Sequence, residues 1–154
     1  MPKCSNFKEK IVKILLLSNY RRDNQFSMQK FGEILLNNSN EVKNLSIEEI
    51  FPNPLVGKLI SFSKLSKWAA YIDKYLVFPK RLKRTLSEGN QNLRLIHIID
   101  HSNAIYLKTI RKISSVKCLL TCHDLIAIQT ALGKFPSAPK TSFFGKRLQT
   151  QERL

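Results

Sequence analysis

The sequence predicts an α/β fold, a parallel sheet with helices on both faces, in one domain over residues 1–154. Three observations carry this expectation. Residues 11–17 are a continuous apolar run broken only by Lys13, as in a strand buried on both faces. Residues 95–99 and 116–121 are two further apolar runs, with a stretch of helical pattern between them. Strand-like and helix-like segments alternate along the chain, which is the pattern of βαβ units and a parallel sheet.

The elements follow in order. Residues 18–25 form a polar loop after the first strand. Ser27 is placed to cap a helix, and Met28, Phe31, Ile34 and Leu35 supply its apolar stripe. The cluster Asn37-Asn38-Ser39-Asn40 ends it. Residues 41–47 read as a second strand with little periodicity. Phe51-Pro52-Asn53-Pro54 is a turn. A short helix is expected over 55–65, although it contains serines and Gly57. A better helix spans 67–78, with Trp68, Tyr71, Ile72, Tyr75 and Leu76 at helical spacing. Pro79 should kink or restart it. Residues 80–87 continue with Leu82 and Leu86 on one side, and Glu88-Gly89-Asn90 closes the helix. The strand 95–99, a helix over 102–113 and the strand 116–121 come next. A loop over 132–140 holds Gly133, Pro136 and Pro139. A last helical pattern starts near Thr141 and is still running at Leu154, so the chain reads as truncated in mid-element.

Composition narrows the function classes. A chain of 154 residues buries roughly 70% of its unfolded surface, enough for a core. No apolar stretch approaches the ~20 residues of a membrane span. Lys3, Lys8 and Lys10 are not followed by the apolar region of a secretory signal. Cys4, Cys118 and Cys122 cannot all pair within one chain. Cys118 and Cys122 fall in a buried-looking strand, where cysteine behaves as a small hydrophobe. A reduced, cytoplasmic setting fits these features. The net charge of +15 attracts polyanions: nucleic acid, anionic lipid or phosphorylated small molecules. The same charge also fits a merely basic surface.

The candidate chemistry lies at two strand ends. Side chains alternate along a strand, so Lys117, Leu119, Thr121 and His123 share one face and Val116, Cys118, Leu120 and Cys122 the other. His123 leaves the sheet where the strand stops, with Asp124 in the loop beyond. Open α/β sheets bind ligands at that carboxyl edge. An imidazole there can hydrogen-bond a sugar hydroxyl or a phosphate and titrate near neutrality. The alternative is a histidine that caps the strand by bonding a neighbouring carbonyl. Asp100-His101-Ser102 raises the same choice, between an anion at a helix start and plain capping by Asp100 or Ser102. His97, inside an apolar run, reads as a hydrogen-bonded core histidine.

Other chemistries find little support. Cys118, Cys122, His97, His101 and His123 include metal-ligand types, but Cys122 and His123 point to opposite faces and no CxxC or HxxxH spacing occurs, so no metal site is expected. There is no GxSxG elbow, no P-loop and no GxGxxG. The loop 18–23 has no glycine, so its backbone cannot approach a pyrophosphate closely. Lys80-Arg81-Leu82-Lys83-Arg84, after an aromatic-rich helix, fits anionic lipid headgroups, nucleic acid or an ordinary solvated helix face.

Three segments then carry a resemblance. They are Tyr75-Leu76-Val77-Phe78-Pro79 with Leu82, then Ile96-His97-Ile98-Ile99-Asp100-His101-Ser102-Asn103-Ala104, then Leu120-Thr121-Cys122-His123-Asp124-Leu125. In this order they resemble the N-terminal domain of GT-B glycosyltransferases of the family-4-like retaining group. The resemblance implies a Rossmann-like fold forming the N-terminal half of a GT-B enzyme. It implies contact with a sugar acceptor and with the transferred sugar. A nucleotide-sugar donor would be held mainly by a C-terminal domain, expected to be absent from residues 1–154, that carries a Lys/Arg pair and a Glu-x7-Glu element. No other cofactor is implied, and no nucleic acid. His123 matches the strand-end histidine facing the sugar, the catalytic position. Ser18, Asn19, Asp100, His101, Ser102 and Asp124 would line the substrate rim. Ser18 and Asn19 stand where many relatives carry Gly-Gly. The chain alone should therefore not transfer sugar. The helix around Trp68 and Tyr75, with the basic charge, fits a lipid-linked acceptor and a cytoplasmic protein peripheral at a membrane. The rival is a basic α/β binding module for anionic membrane or nucleic acid that does no chemistry.

Overall fold

The computed structural model describes residues 11–59, 63–88, 92–113 and 116–123, with Gln129 and Lys134. Strands β1 (Val12–Leu17), β2 (Leu45–Ile50), β3 (Leu93–Ile98) and β4 (Lys117–Leu120) form one sheet in the order β2-β1-β3-β4. Every pairing is parallel. At the centre of the register, Leu16 stands opposite Glu49 on one side and His97 on the other. This is a Rossmann-like α/β fold, as the sequence predicts. Its winding reverses between β1 and β3, because β2 lies on one side of β1 and β3 and β4 on the other.

Helices cover both faces. On one face, Leu15, Leu17, Ile96 and Ile98, alternate positions of neighbouring strands, meet Phe78, Leu82, Tyr106 and Ile110. Those partners come from α4 (Phe78–Ser87), α5 (Leu107–Ile113) and a 3₁₀ turn (His101–Tyr106) before α5. The Phe78 and Tyr106 rings meet edge to face at 4.9 Å. On the other face, α1 (Phe26–Ser39) comes close enough that a Cβ on Gly32 would sit 3.3 Å from Ile99 Cδ1. Glycine there lets α1 approach the strand ends.

Several boundaries differ from expectation. α1 begins at Phe26, after Gln25, so Ser27 lies inside the first turn rather than capping it. β2 starts at Leu45, not at 41. Residues 41–44 complete the turn out of α1, and Asn44, at φ 63°, reverses the chain into the strand. The helix expected over 55–65 is α2 (Leu55–Leu59), and residues 60–62 lie outside the described residues.

Pro79 neither kinks nor restarts its helix. α3 (Ser63–Ile72) passes into a π-helical turn (Asp73–Val77) and on into α4, with Phe78 N–H donating to Asp73 O. The widened turn relieves the clash a proline ring makes with the preceding turn of a regular α-helix. The buried residues along this helix, Ala69, Asp73, Phe78 and Leu82, follow at intervals of four, five and four. The stripe of Trp68, Ile72 and Leu76 consequently faces outward, because Ala69 and Asp73 form the inner side.

β4 is exposed along its length. Cys118 and Cys122, expected as buried hydrophobes, are exposed thiols, because β4 is the edge of the described sheet. The loop over 132–140, apart from Lys134, and the last helix from Thr141 lie outside the described residues. Among the described residues, no helix is long and apolar enough to cross a membrane.

Candidate functional site

The carboxyl ends of the four strands deliver the chemistry-bearing residues to one edge. Parallel pairing makes this unavoidable: every strand finishes on the same side. β1 delivers Ser18, Asn19 and Tyr20, and β3 delivers Ile99, Asp100 and His101. Beyond β4 come Thr121, Cys122 and His123. The backbone stays tied at this level, with Ser18 N–H on Ile50 O at 2.9 Å, Ile99 N–H on Leu17 O at 3.2 Å and Thr121 N–H on Ile98 O at 2.9 Å.

A polar network sits at the seam between β1 and β3, where the winding reverses. Asn19 Nδ2 donates to Asp100 Oδ2 at 2.7 Å, and Asn103 Nδ2 donates to Asn19 Oδ1 at 2.6 Å. Asn19 Nδ2 also donates to Gln25 Oε1, and Ser102 Oγ donates to Asp100 Oδ2 at 2.5 Å. Asn19, Asp100 and Asn103 are all buried. An unpaired buried carboxylate would be costly, so the amide and hydroxyl donors are what permit Asp100 to sit there. His101 Nδ1 lies 3.0 Å from Asp100 Oδ1 without hydrogen-bond alignment. Ser18 is buried, and its Oγ has no hydrogen-bond partner among the described residues.

His123 extends the edge toward β4. Its Nε2 lies 2.8 Å from Ile99 O, and its ring meets Phe31 edge to face at 5.0 Å. A carbonyl only accepts, so the neutral ring carries its proton on Nε2 and keeps Nδ1 as an acceptor. The bond is the strand-capping contact that the sequence leaves open, and the residue is nonetheless exposed. His97, on the same face, shares a 2.8 Å bond with Thr121 Oγ1, and burial lowers its pKa below 6.5. It is the hydrogen-bonded strand histidine the sequence predicts. Asp124 lies outside the described residues.

A second buried cluster flanks the seam. Asp73, in the π-turn, is fully buried. Its Oδ1 accepts Val56 N–H at 2.9 Å, and its Oδ2 accepts Gly57 N–H at 3.0 Å and the Tyr20 hydroxyl at 3.3 Å. Burial, then the Asp73 carboxylate, pushes the Tyr20 hydroxyl up to about 12. A Cβ on Gly57 would stand 3.1 Å from Tyr20 Oη and 3.3 Å from Asp73 Oδ2, so only glycine leaves this junction undisturbed. Arg21 closes the rim on the β2 side, with Nη2 on both Glu49 oxygens at 2.9 and 3.1 Å and its guanidinium 4.7 Å from the centre of the Phe51 ring.

The structure thus gathers Ser18, Asn19, Asp100, His101, Ser102 and His123 at one sheet edge. Asn103 and Gln25 join them, although lone amides carry no motif in the sequence. Asp73 was hidden for a different reason: an acidic residue in a helical stripe reads as solvent-facing. Chemically the edge holds a buried carboxylate and amides engaged with one another, and beside them the exposed His123 ring, whose Nδ1 can accept a hydrogen bond from a polar ligand. Among the described residues no group of three His, Cys, Asp or Glu side chains could hold a metal ion. Comparison with protein-family models, curated proteins and solved structures finds no match to the chain.

Proposed function

We propose that this chain is the acceptor-side, N-terminal half of a retaining GT-B glycosyltransferase of the family-4-like group, working in the cytoplasm. One observation carries the reading. Asn19, Asp100 and Asn103 interlock at the seam where the sheet reverses its winding, the place where open α/β sheets take ligands. In this reading Asp100 and Asn19 form the floor, and His101, Ser102 and His123 meet sugar hydroxyls at the rim. His123 Nδ1 is the acceptor nearest the reacting sugar. The nucleotide-sugar is held by a second domain, and transfer waits for the two to close and exclude water. The exposed thiols of Cys118 and Cys122 fit a reduced compartment.

The test has two arms. Isotope-labelled protein is titrated with a panel of mono- and disaccharides and glycolipid headgroups, and separately with nucleotide-sugars. Amide shifts at Asn19, Asp100, His101, Ser102 and Asn103 with an acceptor, and none with donors, are expected. Labelled sugar should move only when a donor-domain chain bearing the Glu-x7-Glu element is added. Turnover by the chain alone, or shifts confined to other surfaces, would overturn the proposal. The rival, a basic module without chemistry, gains from the helix surface described next.

A further inference from the structure

We propose that the long helix from Ser63 to Ser87 docks this protein on an anionic lipid bilayer. Leu65, Trp68, Ile72, Leu76, Lys80 and Arg84 follow at intervals of three and then four residues, so they form one ridge along the helix. The four apolar members are 53%, 59%, 38% and 60% exposed. The ridge faces away from Ala69, Asp73, Phe78 and Leu82, the buried side. Its first half is thus apolar and its second half basic. Arg81 and Lys83 are exposed beside the basic half, and Lys67 beside the apolar half. Arg84 pairs with Glu88 at 2.6 Å, but among the described residues no acidic side chain pairs with Lys80, Arg81 or Lys83.

An exposed apolar row of this length on a basic protein marks an interaction surface. Three occupants could cover it. Nucleic acid would use the basic half and leave Leu65, Ile72 and Leu76 in water. A second copy would bring another +15 charge against the first. An anionic bilayer satisfies both halves together. Leu65, Ile72 and Leu76 enter the acyl boundary, Trp68 sits at headgroup level and the basic half faces lipid phosphates. The helix is also held rigidly. Lys74 Nζ bonds both Asp23 oxygens at 2.9 and 3.0 Å, and the Tyr106 hydroxyl donates to Lys74 O at 3.0 Å. These bonds fix the ridge beside the loop that follows β1. A docked bilayer would therefore lie next to the strand-end seam. Delivery of a lipid-linked acceptor there rests on the glycosyl-transfer reading; the docking itself does not.

Trp68 is the only tryptophan, so its emission reports the ridge directly. The full chain is mixed with vesicles of phosphatidylcholine plus phosphatidylglycerol, and with vesicles of phosphatidylcholine alone. The expected result is a blue shift and quenching by brominated acyl chains with the anionic vesicles only, reversed by high salt. Leu76→Glu should weaken partitioning at least tenfold while the circular dichroism melt is unchanged. Leu65→Glu, away from the π-turn, is the second such variant. Lys80→Gln with Lys83→Gln should cost about fivefold for each charge removed. Emission that ignores anionic vesicles, or binding indifferent to Leu76→Glu and Leu65→Glu, would overturn the proposal. So would a blue shift produced by nucleic acid alone, or by raising protein concentration without lipid. Saccharide titration reads a different surface, so the two proposals fail separately.

Discussion

Replacing Asp73 should damage this protein more than any surface acid could, in graded steps. Its carboxylate is fully buried and accepts two backbone N–H groups at the start of α2, at 2.9 and 3.0 Å. The third contact, to the Tyr20 hydroxyl at 3.3 Å, is longer and weaker. A hydrogen bond to a charged group contributes about 1.5–3 kcal/mol. Asp73→Ala removes all three contacts and strands the N–H groups of Val56 and Gly57. Relief of the buried charge offsets part of this loss. The net expectation is about 3 kcal/mol, a large share of the 5–15 kcal/mol that folded domains typically hold. For a chain of this size that is a fall in Tm of roughly 6–12 °C. Asp73→Asn keeps one acceptor but turns an N–H₂ toward an N–H, so it should lose about half as much. Tyr20→Phe, touching only the long contact, should lose about 0.5–1 kcal/mol. Calorimetric melting of the three variants at neutral pH is the assay. Asp73→Ala melting within about 2 °C of the parent, or Asn as harmful as Ala, would refute the capping role.

Asn19→Ala should destabilise by about 2–4 kcal/mol, because it leaves the Asn103 amide and one Asp100 lone pair unmatched; a loss below about 1 kcal/mol in denaturant titration would show that water replaces Asn19 freely. Burial lowers the His97 pKa from its ordinary 6.5. The unfolded imidazole gains a proton below 6.5 that the folded one resists, so this contribution is complete above that pH and declines beneath it. Tm should fall as the pH drops below about 6.5, and the difference between parent and His97→Gln should carry that slope; a parallel profile for the two proteins would exclude it. In a reconstituted transferase, His123→Ala should lower kcat by about 10²–10⁴, while removing one exposed bond costs about 1 kcal/mol of stability. Unchanged kcat with a lowered Tm would leave His123 as a strand cap only.

The parts of the fold that could be read in advance are those where burial is continuous. β1 and β3 are apolar on both faces because helices cover both, and such runs announce themselves. β2 was blurred because its alternation breaks at Glu48-Glu49, which puts Ile50 on the opposite face from Leu45 and Ile47, and its true start depends on the backbone of Asn44. Strand ends were legible, and with them the positions of Asn19, Asp100 and His123, since parallel strands must finish together. The contacts among them were not, because hydrogen bonds such as Asn103 to Asn19 join residues 84 apart in sequence. The outward turn of Trp68, Ile72 and Leu76 was also illegible. Helical spacing shows that residues share a face without showing which face meets the core.

The π-turn at Asp73–Val77 also bears on how such a chain can diverge. It spends one residue more than an α-helix needs for the same circuit, and that residue reconciles two anchoring surfaces. Deleting any single position within it would rotate everything after it by about 100° relative to α3. Phe78 and Leu82 would then leave the sheet, or Asp73 would swing away from α2. Substitution at the exposed Leu76 alters surface chemistry alone, whereas a change in length re-indexes the whole helix. A one-residue gap here in a diverging lineage would survive only alongside a compensating insertion or a rebuilt α2.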